Sequence, residues 1–153
     1  MKQFLANHIK NLGGWKTKRK ILCFAVDDYG NIRLHNKSAL ETLKSKGLKL
    51  SNRFDNFDAL DTKADFLQLY NVLSSVKDQH QNPAIFTPYA LSANIDFDKV
   101  LQDKSKYEYE LLPKTYSKLK NEDRAYQGAW ELLQEGIQKK LIKPQFHGRE
   151  HLN

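Results

Sequence analysis

The chain has 153 residues, 40% of them hydrophobic: enough for one domain with a core, but short of the about 250 residues that a complete barrel of alternating strands and helices uses. Its net charge of +7 is concentrated in a basic lead-in, residues 1–20, where Lys2, Lys10, Lys16, Lys18, Arg19 and Lys20 meet no acid; without a basic, aromatic-interleaved face elsewhere, no nucleic-acid partner is expected. A single cysteine, Cys23, excludes an internal disulfide framework, and no apolar run has the length of a signal-peptide core or membrane span, so a cytoplasmic location is expected.

In chain order, Phe4, Leu5, His8, Ile9 and Leu12 recur at helical spacing and are followed by Gly13-Gly14, which predicts a short amphipathic helix over residues 1–12. Ile21 to Val26 are six consecutive apolar residues between lysines and a glycine turn. Such a run predicts a strand buried on both faces of a parallel sheet, with Cys23 packed inside. Residues 36–46 predict a helix through Ala39, Leu40 and Leu43, stopped by Gly47. A short strand at 48–51 and a polar, aromatic loop at 52–58 follow.

The next helix, residues 62–76, opens on Thr62 with Asp65 three positions on, and carries Phe66, Leu69, Tyr70 and Leu73 on one face. Prolines at 83 and 88 bound a further strand, since neither suits a helix interior, and 89–94 reads as a loop. Residues 107–120 read as an excursion with little regular structure. A last helix over 123–140 places Tyr126, Trp130, Leu133 and Ile137 on one face, with lysines in its last turn. Strands alternating with helices predict an α/β architecture of parallel strands joined by right-handed crossovers. All strand C-terminal ends then gather on one face, where such sheets place their chemistry.

Two stretches carry chemistry. Asp27-Asp28-Tyr29-Gly30 ends the first apolar run with adjacent carboxylates, and Phe146-His147-Gly148-Arg149-Glu150-His151 offers two imidazoles four positions apart. One carboxylate and two histidines make a ligand set for a divalent metal. A second carboxylate beside them supplies a base for a water-activating hydrolysis. Adjacent side chains alternate in an extended strand, so a bend at Asp27-Asp28 is required if both are to serve one site. Taken alone, Asp27-Asp28-Tyr29-Gly30 also fits an ordinary polar turn after a strand.

Val26-Asp27-Asp28-Tyr29-Gly30 with His147-Gly148-Arg149-Glu150-His151 resembles the first two motifs of the polysaccharide deacetylase superfamily, the NodB-homology or carbohydrate esterase family 4 group. The resemblance implies a distorted β/α barrel, represented here by its N-terminal portion over residues 21–153, a truncated β/α barrel. It implies a hydrolase removing acetyl groups from a carbohydrate substrate, with Asp27 as catalytic base and Asp28, His147 and His151 holding a divalent metal ion, Zn2+ or a similar metal. Tyr29 precedes Gly30 where the family has glycine directly, Gly148 stands for Ser or Thr, and Leu152 for Pro. The family's later arginine and general-acid histidine have no counterpart, so the catalytic set is expected to be incomplete, with a non-catalytic metal-binding α/β fragment as the alternative. Uncovered sheet edges would then invite self-association. Arg53, Tyr89 and Asn94 are candidates for lining a sugar site, though surface or packing roles suit each of them better. His147 to His151 also fits H-x-x-E-H, in which Glu150 would be the base of a zinc peptidase on a helix; Pro144 and Gly148 disfavour that helix.

Overall fold

The computed structural model describes residues 6, 9–10, 12–49 and 59–151. The helix expected over 1–12 and the strand expected at 48–51 lie in large part outside the described residues, and the loop at 52–58, with Arg53, lies wholly outside them. The first strand, β1 (Ala25–Tyr29), starts four residues later than the apolar run and takes both aspartates inside it. Residues 21–24 have no regular structure and, with Cys23, are exposed, which corrects the expectation of a strand buried on both faces. The reason is position: among the described residues β1 is an edge of its sheet, and only its last two residues are partly covered.

That sheet has the order β1-β2-β5, with β2 (Thr87–Leu91) and β5 (Gln145–Gly148) each parallel to its neighbour. The α/β class and the parallel arrangement hold; among the described residues the three strands form an open sheet and no closed barrel. β2 begins at Thr87 because the preceding residues pair elsewhere, Ala84 N–H donating to the carbonyls of Leu73 and Val76. The expected loop at 89–94 is instead the end of β2 and a third strand, β3 (Ala93–Ile95), antiparallel to β4 (Tyr109–Leu111).

Helix α1 (Lys37–Ser45) is capped by Asn36, whose side chain accepts from the Ala39 N–H at 2.9 Å. Helix α2 (Lys63–Ser75) has the reciprocal Thr62–Asp65 capping box that its sequence announces. A short α3 (Phe97–Gln102) precedes β4, and the supposed excursion after it is a regular helix, α4 (Leu112–Glu122). Its inward stripe, Leu112, Thr115, Tyr116 and Leu119, follows the helical period, but a threonine in it and lysines around it mask the pattern. The helix expected over 123–140 is divided: a 3-10 turn at Arg124–Tyr126, then Gly128 at φ 84, then α5 (Ala129–Gln138). Only glycine takes that left-handed conformation without cost, so the break is set locally.

The core comprises Leu60, Phe66, Leu112, Tyr116, Ala129, Leu133 and Ile142, drawn from α2, α4, α5 and the segments leading into α2 and β5. On the other side of α4 a buried ion network joins it to the β3–β4 pair. Asp96, 1% exposed, accepts from Lys114 at 3.0 Å and Lys118 at 2.9 Å, and Lys118 also pairs with buried Glu110 at 2.7 Å. Among the described residues, no helix is long and apolar enough to cross a membrane.

Burial opposes ionisation of Asp96, but the hydrogen bonds from Lys118 and Lys114 outweigh it and hold its pKa down at about 2. A folded-state pKa below the unfolded value of about 3.9 stabilises the protein above that value and ceases to do so as pH falls through the folded pKa. Asp96→Asn should therefore lower stability by roughly 1–3 kcal/mol at neutral pH and flatten the acid limb between about pH 4 and 2. Denaturant melts across that window check this, and an unchanged acid limb would show that the network contributes nothing.

Candidate metal centre

A regular strand would turn Asp27 and Asp28 to opposite faces of the sheet. Two irregularities prevent this. Val26 pairs with Pro88 and Tyr29 with Ala90, so three steps along β1 match two along β2, and Asp27-Asp28 forms a bulge opposite Tyr89. Within it Asp28 has φ 52, a left-handed conformation that aspartate tolerates better than most residues. On the far side of β2, Ala90 pairs with Phe146 and Leu91 with Gly148, which makes His147 the extra residue of a second bulge. Both neighbours of β2 are thus distorted at their site residues, and the distortions aim the side chains together.

The result is a cluster at one end of the sheet. His147 Nε2 lies 3.1 Å from Asp27 Oδ1 and 3.3 Å from Asp28 Oδ1, while His151 Nε2 lies 3.6 Å from Asp28 Oδ2. Asp28 thus presents one oxygen to each imidazole. Asp27 meets His147 and is the more exposed acid, 69% against 32%. With ligand bonds of about 2.0–2.2 Å, a tetrahedral ion keeps its ligand atoms roughly 3.3–3.6 Å apart, so each Asp28 separation taken singly is of ligand-pair length, though the two run from different oxygens. Among the described residues, Asp27, Asp28 and His147 are the one group of three such side chains whose ligand atoms lie within 4.8 Å of one another.

The frame behind the acids is buried and polar. Gly30, at φ 93, turns the chain away from β1, and a Cβ there would sit 3.4 Å from the Leu91 carbonyl oxygen. Asn94, 2% exposed, pins the same turn: its amide donates to the Gly30 carbonyl at 3.0 Å and its carbonyl accepts from the Ile32 N–H at 2.8 Å. Asn94 is therefore a positioning residue, not a wall of a sugar site. Tyr89 does stand beside the cluster, its ring centroid 6.2 Å from that of His147.

The histidine segment is held from outside the sheet. The Ala93 N–H donates to the Arg149 carbonyl at 2.6 Å, and the Arg149 guanidinium lies over the Tyr109 ring at 4.3 Å. Arg149 also grips Glu150, whose carboxylate accepts from the Tyr107 hydroxyl at 2.8 Å. These bonds hold the Glu150 carboxyl below its ordinary pKa. His147 stands on a strand, and Glu150 is committed to Arg149 and Tyr107, so the peptidase pattern lacks both its helix and its base. Sequence reasoning does not reach Tyr107, because no local spacing links position 107 to position 150; only the folding of β4 beside the histidine segment brings them together.

A further polar group lies next to Asp28. Burial pushes the Tyr29 hydroxyl well above its ordinary pKa, with the nearby Asp61 carboxylate adding to the shift, and burial likewise raises Asp61. Comparison of the chain with protein-family models, with curated proteins and with solved structures finds no match, so the chemistry of the site rests on this geometry.

If the Tyr107–Glu150–Arg149 cluster fixes the loop that carries His151, Tyr107→Ala should weaken zinc binding by about tenfold or more, as loss of supporting contacts does in metal sites. Tyr107→Phe keeps the ring and should cost less. Calorimetric titration with Zn2+ decides this, and equal affinity in Tyr107→Ala would show that His151 is held by other means.

Proposed function

We propose that the chain is a metal-dependent hydrolase of the polysaccharide deacetylase type that acts on acetylated carbohydrate. The observation that carries this is the division between the two acids: Asp28 faces both imidazoles, one oxygen to each, while the more exposed Asp27 meets His147 alone. Asp28, His147 and His151 would hold a divalent ion, and two nitrogens with one carboxylate suit zinc. When bound, such an ion supplies Lewis acidity to a substrate carbonyl and to water. Asp27, open to solvent, accepts the proton of the water that attacks the acetyl carbon. A bond then forms between that oxygen and the acetyl carbon, the bond from carbon to the sugar nitrogen or oxygen breaks, and the leaving atom takes up a proton. The resemblance names a late histidine for that last transfer, which no residue from 1 to 153 matches.

A second reading, a metal-holding chain without turnover, is favoured by a different observation. β1 and β5 are both edges of the sheet, and Phe24 and Phe146 beside the site are exposed, so the described residues leave the flanks of the cluster open. The same edges support self-association. An exposed, unpaired Cys23 suits a reducing compartment, which supports a cytoplasmic location.

Asp28→Ala should abolish stoichiometric Zn2+ uptake measured by calorimetry, because it removes the ligand shared by both imidazoles; retained uptake would sink the metal assignment. Asp27→Asn should bind zinc and yet lose whatever acetate release the wild-type chain shows on N-acetylglucosamine oligomers. Rapid wild-type release would favour the hydrolase over the second reading and show that the chain has its own proton donor.

A further inference from the structure

Beside the carboxylate pair opens a cleft of about 770 Å³ whose lining includes Val26, Tyr29, Asn31, Leu60, Asp61 and Phe86. Asn31 Nδ2, in a residue only 7% exposed, has no hydrogen-bond partner among the described residues, and the buried Tyr29 hydroxyl has none but the Asp61 carboxylate beside it. Buried polar atoms are nearly always paired, by protein, water or ligand, because an unpaired one forfeits its hydration without return. That open donor on the cleft wall, with the Tyr29–Asp61 pair beside it, makes a site built for a polar guest.

The three groups define what the guest must be. Asn31 Nδ2 is a donor and needs an acceptor, the Asp61 carboxylate needs a donor, and the Tyr29 hydroxyl serves either way. Arg33 also lines the cleft, but an anion would meet three carboxylates, Asp27, Asp28 and Asp61, against that one cation. A cation cannot accept from Asn31. Adjacent hydroxyl groups both donate and accept, and the apolar side chains of Val26, Leu60 and Phe86 suit the C–H faces of a ring that carries them.

We infer that Tyr29, Asn31 and Asp61 form a subsite for the hydroxyl groups of a neutral sugar ring next to the candidate metal centre. The placement follows from the fold. Tyr29 closes the bulged strand β1, Asn31 follows the Gly30 turn that Asn94 pins, and Asp61 lies between core residue Leu60 and the α2 cap Thr62. The site is thus carried on rigid elements, as recognition requires. In naming a sugar as the guest beside the metal, the inference rests on the deacetylase reading, although the three groups identify it by their own chemistry.

The test uses the full chain freed of metal by a chelator, titrated calorimetrically with N-acetylglucosamine trimer and, separately, with the glucose trimer cellotriose. Wild-type protein should bind at least one of them saturably. Tyr29→Phe and Asn31→Ala should each weaken that binding by about tenfold, the worth of one hydrogen bond of about 1.4 kcal/mol, and both should still take up zinc. Asn31→Ala removes a donor that has no partner among the described residues, so it should melt at or near the wild-type temperature while losing sugar affinity, a combination that a merely structural asparagine would not give. Absence of saturable binding to either trimer, or wild-type affinity in both variants, would overturn the subsite. Sugar binding that depends on Tyr29 and Asn31 while Asp28→Ala still takes up zinc would keep the subsite and remove the metal assignment. Zinc uptake that depends on Asp28 with no sugar binding would do the reverse.

Discussion

A parallel sheet in perfect register would hold Asp27 and Asp28 on opposite faces, so only one of them could share a face with His147. Each strand beside β2 instead carries one residue too many at the position where a site side chain must be re-aimed. The cost is local: two broken ladders and one aspartate in a left-handed conformation. It is borne because the surroundings over-determine the bend. Asn94 hydrogen-bonds both sides of the Gly30 turn, and Gly30 takes a φ of 93 that residues with a side chain rarely adopt. Everything said of the cluster depends on that pair of bulges.

The electrostatics follow from the same bend. Two neighbouring carboxylates repel unless something positive stands between or beside them. Here Asp28 stands between the His147 and His151 imidazoles, one oxygen toward each, while Asp27 meets His147. Charges elsewhere in the fold are paired in a different way. Asp96 and Glu110 are buried against lysines of α4 and hold the β3–β4 pair to that helix, and β4 in turn brings Tyr107 and Tyr109 beneath Arg149. A chain of contacts therefore runs from the ion network to the segment that ends in His151.

Among the described residues, hydrogen-bonding capacity is left unused in two buried places, at Thr115 of α4 and at Asn31 on the cleft beside the carboxylate pair, and the second opens to solvent through that cleft. The cleft residues Tyr29, Asn31 and Asp61 sit on the strand end, the pinned turn and the helix entry, not on the exposed loops, so their positions are as fixed as those of the acids.

Much of this was legible in the chain itself. The capping pair Thr62–Asp65 opened α2 where local chemistry placed it, the alternation of elements implied parallel strands, and Asp27, Asp28, His147 and His151 stood out by type and spacing. Of these, the fold brings Asp27, Asp28 and His147 within 4.8 Å of one another and sets His151 beside Asp28. Local signals failed where the environment overrode composition. Ile21 to Phe24 are apolar enough for a core but lie outside the sheet, the threonine in the inner stripe of α4 hid a helix, and Gly128 divided another. Residue types are a property of the sequence, whereas the meeting of Asp28 with two imidazoles more than a hundred positions away is a property of register. One added residue in each of two strands decided it, because in a ladder of period two a single step turns a side chain to the other face.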